Sequence, residues 1–308
     1  MLITGSEILA PAYEHGFAVP AYNISDYGML YAALTASEEA QSPIIISIHP
    51  AEWELVGDEF LASVRELAAH ASVPVAIQLD HGATFEQVIG AIRLGFTSVM
   101  IDGSLLAYDD NVALTRKVVE AAHSAGVSVE GEIGTIGERD PDTAQAFSNI
   151  IYTTPDEAAA FVAATNVDFL AVAAGTCHGV YPAGVDPEIK LKLLEQIRDA
   201  VEVPLVLHGG SGAIDSEVSQ AVTRGVSKVN ISADLKTAYF VKLREVLEDP
   251  KQREPHDIYP PALAATQEVV RHKAAVFGST GRADLYGATG AESGIKRPNW
   301  LAAHVFEH

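Results

Sequence analysis

The chain has 308 residues, with 41 Asp and Glu against 20 Lys and Arg, so its formal net charge at pH 7 is −21. Binding to nucleic acid or to an anionic membrane needs a basic surface, so this charge excludes both partners. Hydrophobic residues make up 48% of the chain and charged residues 20%, which is the composition of a folded globular protein. The single cysteine, Cys177, cannot form an intrachain disulfide, and the first residues lack the pattern of a signal peptide. We therefore expect a cytoplasmic protein.

Short apolar runs alternate with amphipathic stretches along the chain. Eight runs have the near-continuous apolar character of parallel strands that are buried on both faces. They are Phe17–Ile24, Pro43–His49, Pro74–His81, Ser98–Gly103, Val127–Gly134, Phe169–Gly175, Val203–Gly210 and Lys228–Asp234. The helical stretches that follow them are Gly28–Glu39, Asp58–Ala71, Thr84–Leu94, Asn111–Ala125, Pro155–Ala164, Pro187–Val201, Ser216–Arg224 and Ala233–Leu247.

Eight strand–helix units in succession predict an α/β fold that closes into a single-domain (β/α)8 TIM barrel. A doubly wound sheet is the alternative, and it usually has fewer strands. Two segments do not fit the alternation. They are the polar insert Thr135–Asn149 and the glycine-rich, then aromatic, tail Gly278–His308.

Three histidines stand at or just beyond predicted strand ends, where barrel enzymes carry their active sites. His81 ends the third strand, His178 follows the sixth, and His208 lies on the seventh. A catalytic zinc is held by three such imidazoles, with a fourth position open to water or substrate. A single histidine is more often an ordinary hydrogen-bonded residue of the barrel rim, but three at equivalent positions predict a metal site.

Carboxylates and glycines extend the predicted site. Asp80 precedes His81 and is a candidate acid–base, whereas Asp102 and Glu132 are candidates for a second cation site or for orienting the histidines. The polar insert carries two further acids, Glu138 and Asp140, which are either loop bases or solvated charges. The glycines of Gly209-Gly210-Ser211-Gly212, together with Asn230-Ile231-Ser232, are typical of a phosphate site after strands seven and eight, or of simple tight turns.

Seven strings, taken in chain order, carry a family resemblance. They are AYNI, QLDHG, SVMIDGS, VSVEGEIGTIG, GTCHGVY, LHGGSG and KVNISAD. In this order they resemble the zinc-dependent class II aldolases of fructose bisphosphate and tagatose bisphosphate. The resemblance runs to FGSTGRA at residues 277–283, so it divides the chain into an aldolase barrel over 1–283 and a carboxyl-terminal extension over 284–308.

The resemblance implies residue roles. His81, His178 and His208 would bind Zn²⁺, with Glu132 and Asp102 near an alternative position for a second divalent or a monovalent cation. Asp80 would move the proton of the C4 hydroxyl, and a loop acid would exchange the C3 proton. Aligned without a gap this acid is Asp140, and with a gap it is Glu138. The substrate would contact Asn23, Gly179, Gly209, Ser211, Asn230 and Ser232.

The resemblance also implies a reaction: reversible cleavage of a ketose phosphate or bisphosphate to dihydroxyacetone phosphate and an aldehyde, in carbohydrate metabolism such as glycolysis. Homodimers or homotetramers are the expected assemblies. His49, Pro182 and Ala233 depart from the family pattern near the expected phosphate, so an aldolase for a differently phosphorylated or non-phosphorylated sugar is an alternative. Two further alternatives are a metal-dependent sugar epimerase or isomerase and a catalytically silent barrel.

Overall fold

Eight parallel strands close into a barrel in which each strand pairs with the next and the eighth pairs with the first. The computed structural model describes residues 1–135, 150–177, 188–287 and 293–295. The strands are β1 Val19–Asn23, β2 Ile44–Ile48, β3 Val75–Gly82, β4 Ser98–Ile101, β5 Ser128–Ile133, β6 Phe169–Val172, β7 Leu205–Leu207 and β8 Val226–Ile231. The predicted TIM barrel is confirmed, and the doubly wound alternative is wrong because the sheet has no open edge.

Helices surround this barrel and pack their apolar faces on the outward-facing strand residues. They are α1 Gly5–His15, α2 Tyr27–Glu39, α3 Pro50–His70, α4 Phe85–Arg93, α5 Tyr108–Ser124, α6 Pro155–Thr165, α7 Leu191–Ala200, α8 Asp215–Val222, α9 Ala233–Val246 and α10 Pro255–Val276. A 3-10 turn, Arg282–Tyr286, follows α10. In the described part of the chain, no helix is both long enough and apolar enough to cross a bilayer.

The interior of the barrel changes character along the strand direction. Near the amino ends, inward-facing Ile45, Ala76 and Val206 belong to an apolar cluster. Side chains alternate between faces with a period of two, so the next inward positions on these strands are Ser47, Gln78 and His208. All three are buried polar residues. The sequence thus builds an apolar floor and a polar mouth from the same strands.

Helix α1, which the sequence analysis did not predict, closes the amino end of the barrel. Thr4 and Glu7 form a capping box that fixes its start. Ile8 and Leu9 are completely buried in the apolar floor, and the Ser6 backbone N–H donates to Ser128 Oγ over 2.9 Å. The mouth at the opposite end is therefore the end of the barrel at which a ligand has access to the polar side chains.

Two predicted elements have different bounds in the structure, and a second helix besides α1 was not predicted. The predicted last strand Lys228–Asp234 is too long, because Asp234 already lies in the first turn of α9. The second helix of the prediction begins earlier, at Pro50, but Gly57 interrupts it with φ 73°, so the predicted portion from Asp58 is the regular part. Helix α10 was not predicted at all.

The described part of the carboxyl-terminal extension packs on the barrel near its amino end. Tyr286 Oη donates to the carbonyl of Ile8 over 2.6 Å, and Ser293 Oγ donates to Glu38 over 2.8 Å. Ile295 is almost completely buried. These contacts hold the described extension at the end of the barrel opposite the mouth.

Candidate metal centre and active site

Predicted site residues from six strand ends meet at the mouth of the barrel. The described members that touch one another there are Asn23, Asp80, His81, Asp102, Glu132, His208 and Asn230. Glu138, Asp140, His178 and Gly179 lie outside the described residues, as does Pro182. The cluster supports the prediction from strand ends that these side chains share one site.

Two imidazole nitrogens face each other at the centre of this cluster. His208 Nδ1 lies 3.0 Å from His81 Nε2, and one nitrogen of each ring lies within 4.8 Å of an Asp80 oxygen. His81 has φ 52°, a left-handed conformation that residues other than glycine adopt infrequently. It coincides with a shift in strand register between Leu79 and Gly82. This irregular end of β3 is the local feature that presents both Asp80 and His81 to the mouth.

Each histidine is held by a carboxylate on its other nitrogen. His81 Nδ1 donates to Asp102 Oδ2 over 2.8 Å, and His208 Nε2 donates to Glu130 Oε1 over 2.7 Å. Such partners fix the tautomer and the orientation of a metal-binding imidazole. Asp102, which the sequence left as either a cation ligand or an orienting group, therefore orients His81 in this structure.

Glu130 is the centre of a fully buried polar network below the histidines. Its Oε2 atom accepts hydrogen bonds from Lys228 Nζ over 2.8 Å and from Gln78 Nε2 over 2.6 Å. Lys228 also donates to Asn230 Oδ1 over 2.6 Å. Burial alone would raise the pKa of Glu130, but the charge of Lys228 and the hydrogen bond from His208 lower it to about 2. Glu130 is thus an anion that anchors His208.

Asp80 is held by two amides. Asn23 Nδ2 donates to its Oδ2 atom over 2.6 Å, and Asn230 Nδ2 donates to its Oδ1 atom over 3.0 Å. Burial opposes ionisation, but the nearby positive charge of His81 keeps the pKa of Asp80 well below its usual range. An oriented, ionised carboxylate beside the paired histidines is suited to accept a proton from a bound substrate.

The electrostatics of the cluster favour one added positive charge. Burial lowers the pKa of His81, but Asp80, Asp102 and Glu132 outweigh this effect and raise it to about 10. Burial and the neighbouring charge of His81 lower the pKa of His208, so that ring stays neutral. In the metal-free protein, the excess positive charge is therefore a proton on His81.

Glu132 contributes an unsatisfied oxygen. Its Oε2 atom is buried, has no hydrogen-bond partner in the described residues and lies 3.8 Å from His81 Nδ1. Burial and the charge of Asp102 raise the pKa of Glu132 to about 8. A buried carboxylate oxygen without a partner is costly unless it binds a cation or a proton.

The donor set at the mouth fits a bound metal ion. Two imidazole nitrogens on one tetrahedral zinc lie about 3.3 Å apart, from bond lengths of about 2.0–2.1 Å, and the observed separation is 3.0 Å. Each ring is oriented by a carboxylate, and Glu132 belongs to a second group of possible ligands, with His81 and Asp102, on the Nδ1 side of the His81 ring. Imidazole and carboxylate are ligands of zinc and of several other divalent ions.

The loops after β7 and β8 are tied together beside the metal site. Ser211 Oγ accepts hydrogen bonds from the backbone N–H groups of Ser232 and Asp234, over 3.1 and 3.2 Å. The Gly212 N–H donates to the Asp234 carboxylate over 3.0 Å. At Gly209, φ is +67° and an added Cβ would lie 2.4 Å from the carbonyl oxygen of Cys177. The loops after β6, β7 and β8 are therefore tightly packed against one another at these residues.

His49 lies at the end of β2, near His81. Its Nδ1 atom accepts the backbone N–H of Ala51 over 3.1 Å and caps α3, so the neutral ring carries its proton on Nε2. Its ring centroid is 6.2 Å from that of His81. Burial lowers its pKa despite the opposing charge of Asp80. His49 thus presents a neutral imidazole close to the metal site.

The sequence analysis assigned no role to Gln78, Glu130 or Lys228. Each stands two residues before a predicted site residue on the same strand, namely Asp80, Glu132 and Asn230. A period of two places both members of each pair on the inner face. This spacing is the signal that would have identified the buried network.

Comparison with known proteins identifies relatives along most of the chain. Residues 3–282 match the model of the family described as fructose-bisphosphate aldolase class-II. The fructose-bisphosphate aldolase of Thermus caldophilus is 38% identical over 305 residues, covering 92% of this chain and 100% of that protein. The fructose-bisphosphate aldolase of Staphylococcus aureus strain Mu50 is 38% identical over 287 residues, covering 92% of this chain and 99% of that protein.

A solved structure agrees with these matches. The crystal structure of the YdjI aldolase from Escherichia coli K12 superposes with a TM-score of 0.82 at 33% sequence identity. The superposition covers 92% of this chain and 100% of the other.

Proposed function

The chain belongs to the class II fructose-bisphosphate aldolase family, which makes it a lyase, and from this premise we propose zinc-dependent, reversible cleavage of a ketose phosphate or bisphosphate. The products are dihydroxyacetone phosphate and an aldehyde. The observation that carries the metal dependence is the His81–His208 pair. Its facing nitrogens lie 3.0 Å apart, and each ring is oriented by a carboxylate.

His81 and His208 are the proposed zinc ligands, and His178 is the third by the family pattern. Bound zinc would polarise the C2 carbonyl of the ketose and stabilise the negative charge that develops when the C3–C4 bond breaks. Glu132, with its unpartnered oxygen, is the proposed ligand of an alternative metal position or of a second cation. Asp102 lies beside this position and orients His81 through its hydrogen bond to Nδ1.

Asp80 is the proposed base of the cleavage direction. It accepts the proton of the C4 hydroxyl, the C3–C4 bond breaks, and C4 leaves as the aldehyde carbon. The bonding electrons stay with the three-carbon fragment, which takes a proton at C3 to become dihydroxyacetone phosphate. Glu138 or Asp140 of the insert is the proposed donor of this proton. Asn23 and Asn230 keep Asp80 aligned through their amides.

The proposed substrate contacts are Asn23, Gly179, Gly209, Ser211, Asn230 and Ser232. A net charge of −21 does not exclude a phosphorylated substrate, because the local field at the mouth decides. We further propose a barrel domain over 1–283, an extension over 284–308, a homodimer or homotetramer, and a cytoplasmic role in carbohydrate metabolism such as glycolysis.

An aldol-cleavage assay on purified protein tests this function. Activity with fructose 1,6-bisphosphate is measured after dialysis against a chelator and again after addition of Zn²⁺. We expect loss and then recovery of activity, with triose phosphate as a product. Full activity in protein freed of metal would contradict the proposal. Formation of an epimer without triose phosphate would favour the isomerase or epimerase alternative.

A second candidate function is supported by His49. This neutral imidazole stands near His81, where many relatives have Ser or Thr by the resemblance, so the group that contacts the ketose differs. The candidate is an aldolase for a differently phosphorylated or non-phosphorylated sugar. Comparison of kcat/KM for a bisphosphate, a monophosphate and a free ketose decides between the two candidates. A preference of more than about 100-fold for the bisphosphate would remove the second.

A further inference from the structure

We infer that Lys228 is a positioning residue that aligns the zinc ligand His208 and the base Asp80 at the same time. The inference rests on the proposed function and extends it below the mouth of the barrel. Lys228 is completely buried and makes two described hydrogen bonds, one to Glu130 and one to Asn230. Through these two residues it reaches the two functional groups from opposite directions.

The first connection runs through Glu130. One carboxylate oxygen accepts from Lys228 over 2.8 Å and the other accepts from His208 Nε2 over 2.7 Å. The ammonium group keeps a completely buried carboxylate ionised and fixed in one orientation. That carboxylate in turn keeps the proton of His208 on Nε2, which leaves Nδ1 with a lone pair directed towards His81.

The second connection runs through Asn230. An ammonium group has donors only, so the side-chain atom of Asn230 that faces Lys228 over 2.6 Å must be the carbonyl oxygen. This fixes the orientation of the amide, and its Nδ2 group then faces Asp80 at 3.0 Å. If the amide were free to turn over, its oxygen would meet the carboxylate of Asp80 and repel it.

Lysine suits this position because both connections need a donor at one buried point. The alternative is that Lys228 only balances the charge of Glu130, as a buried ion pair would in any protein core. The two explanations differ in what happens when both charges are removed together. Charge balance alone then leaves the site intact, whereas positioning predicts the loss of the alignment at Asp80.

The test uses two double variants, because Lys228→Met alone leaves Glu130 buried without its charge partner. In Lys228→Met/Glu130→Gln, the new amide oxygen still accepts from His208. Its NH2 group can donate to Gln78 Oε1, which has no partner in the described structure, once that amide turns over. In the matched control Lys228→Met/Glu130→Met, the acceptor at position 130 for His208 Nε2 is removed.

Zinc affinity of the metal-free proteins, measured by competition with a chelator, tests whether the acceptor at position 130, through which Lys228 is connected to His208, affects the zinc ligand. We expect the Gln variant to bind zinc within about threefold of the wild type and the Met control to bind about 10- to 100-fold more weakly. Equal affinities for the two double variants would overturn the role through Glu130. This readout does not depend on aldolase activity.

The cleavage rate per bound zinc tests the second connection, from Lys228 through Asn230 to Asp80. We expect kcat of the Gln variant to fall about 10- to 100-fold, because Asp80 loses its aligned amide. A kcat within twofold of wild type, with only a lower melting temperature, would overturn the positioning role and leave charge balance as the explanation. If wild-type protein loaded with zinc cleaves no ketose phosphate, the proposed function fails, and the zinc affinities still judge the connection through Glu130.

Discussion

Substitution of Gly209 by alanine tests whether the loops after β6 and β7 need their close approach. The residue has φ +67°, and an added Cβ would lie 2.4 Å from the carbonyl oxygen of Cys177. Gly16 is a matched control, because its φ is +68° and an added Cβ would meet nothing within 4 Å. Both substitutions therefore have the cost of placing alanine at positive φ, but only Gly209→Ala adds a close contact with the backbone of Cys177.

The magnitude follows from these two terms. An alanine in the left-handed conformation costs about 1–2 kcal/mol at either position. At Gly209, the displacement of backbone at Cys177 adds about 1–3 kcal/mol. We thus expect a loss of unfolding free energy of about 1–2 kcal/mol for Gly16→Ala and about 2–5 kcal/mol for Gly209→Ala.

Urea denaturation of the metal-free proteins measures both losses, and the cleavage assay follows in parallel. Gly209→Ala should also lower kcat/KM, because the displaced backbone lies beside His208, whereas Gly16→Ala should leave activity unchanged. Equal losses of stability for the two variants, or wild-type activity in Gly209→Ala, would refute the argument from close approach.

Two further substitutions and one pH titration examine the site itself. Asp80→Asn should lower kcat by about 10²- to 10⁴-fold with the zinc content unchanged, and a loss of zinc instead would contradict its role as base. His49→Asn keeps an acceptor that caps α3 but removes the imidazole. If the imidazole contacts the substrate, we expect KM to rise about five- to tenfold with kcat within twofold of wild type. An unchanged KM would exclude this contact. Zinc affinity should increase by about tenfold per pH unit between about pH 6 and 8. The reason is that the pKa of His81 is raised to about 10, so zinc must displace a proton from this ring. A zinc affinity that is independent of pH would contradict the protonation of His81 in the metal-free site.

The sequence predicted the barrel because each strand is an apolar run and each predicted helix is amphipathic. It did not predict α10, since Pro260 and Pro261 stand inside that helix and proline ordinarily ends one. Contacts with α2 and α9 stabilise α10 in the fold. Helix α1 was also not predicted, although Thr4 and Glu7 carry the capping pattern that marks its start.

In the site, the sequence pattern predicts which residues are neighbours, but it does not predict their pKa shifts. Strand ends identified Asp80, His81 and His208 as neighbours. The sequence could not show that Glu130 and Glu132, two residues apart on one face, would have opposite pKa shifts. The pKa of Glu130 is lowered to about 2 by Lys228 and His208 despite burial, whereas burial and Asp102 raise the pKa of Glu132 to about 8. Those partners come from other strands and are set by the closure of the barrel.

Zinc-dependent aldol cleavage by this chain is decided by measuring metal content and cleavage together. The protein is stripped of metal, titrated with Zn²⁺, and assayed with fructose 1,6-bisphosphate and with other ketose phosphates at each step. We expect activity on at least one ketose phosphate that rises in proportion to bound zinc and saturates at one equivalent per chain. We also expect a His81→Ala/His208→Ala variant neither to bind this equivalent nor to regain activity. Cleavage that is independent of bound metal, or undiminished in that variant, would contradict zinc-dependent catalysis at this site.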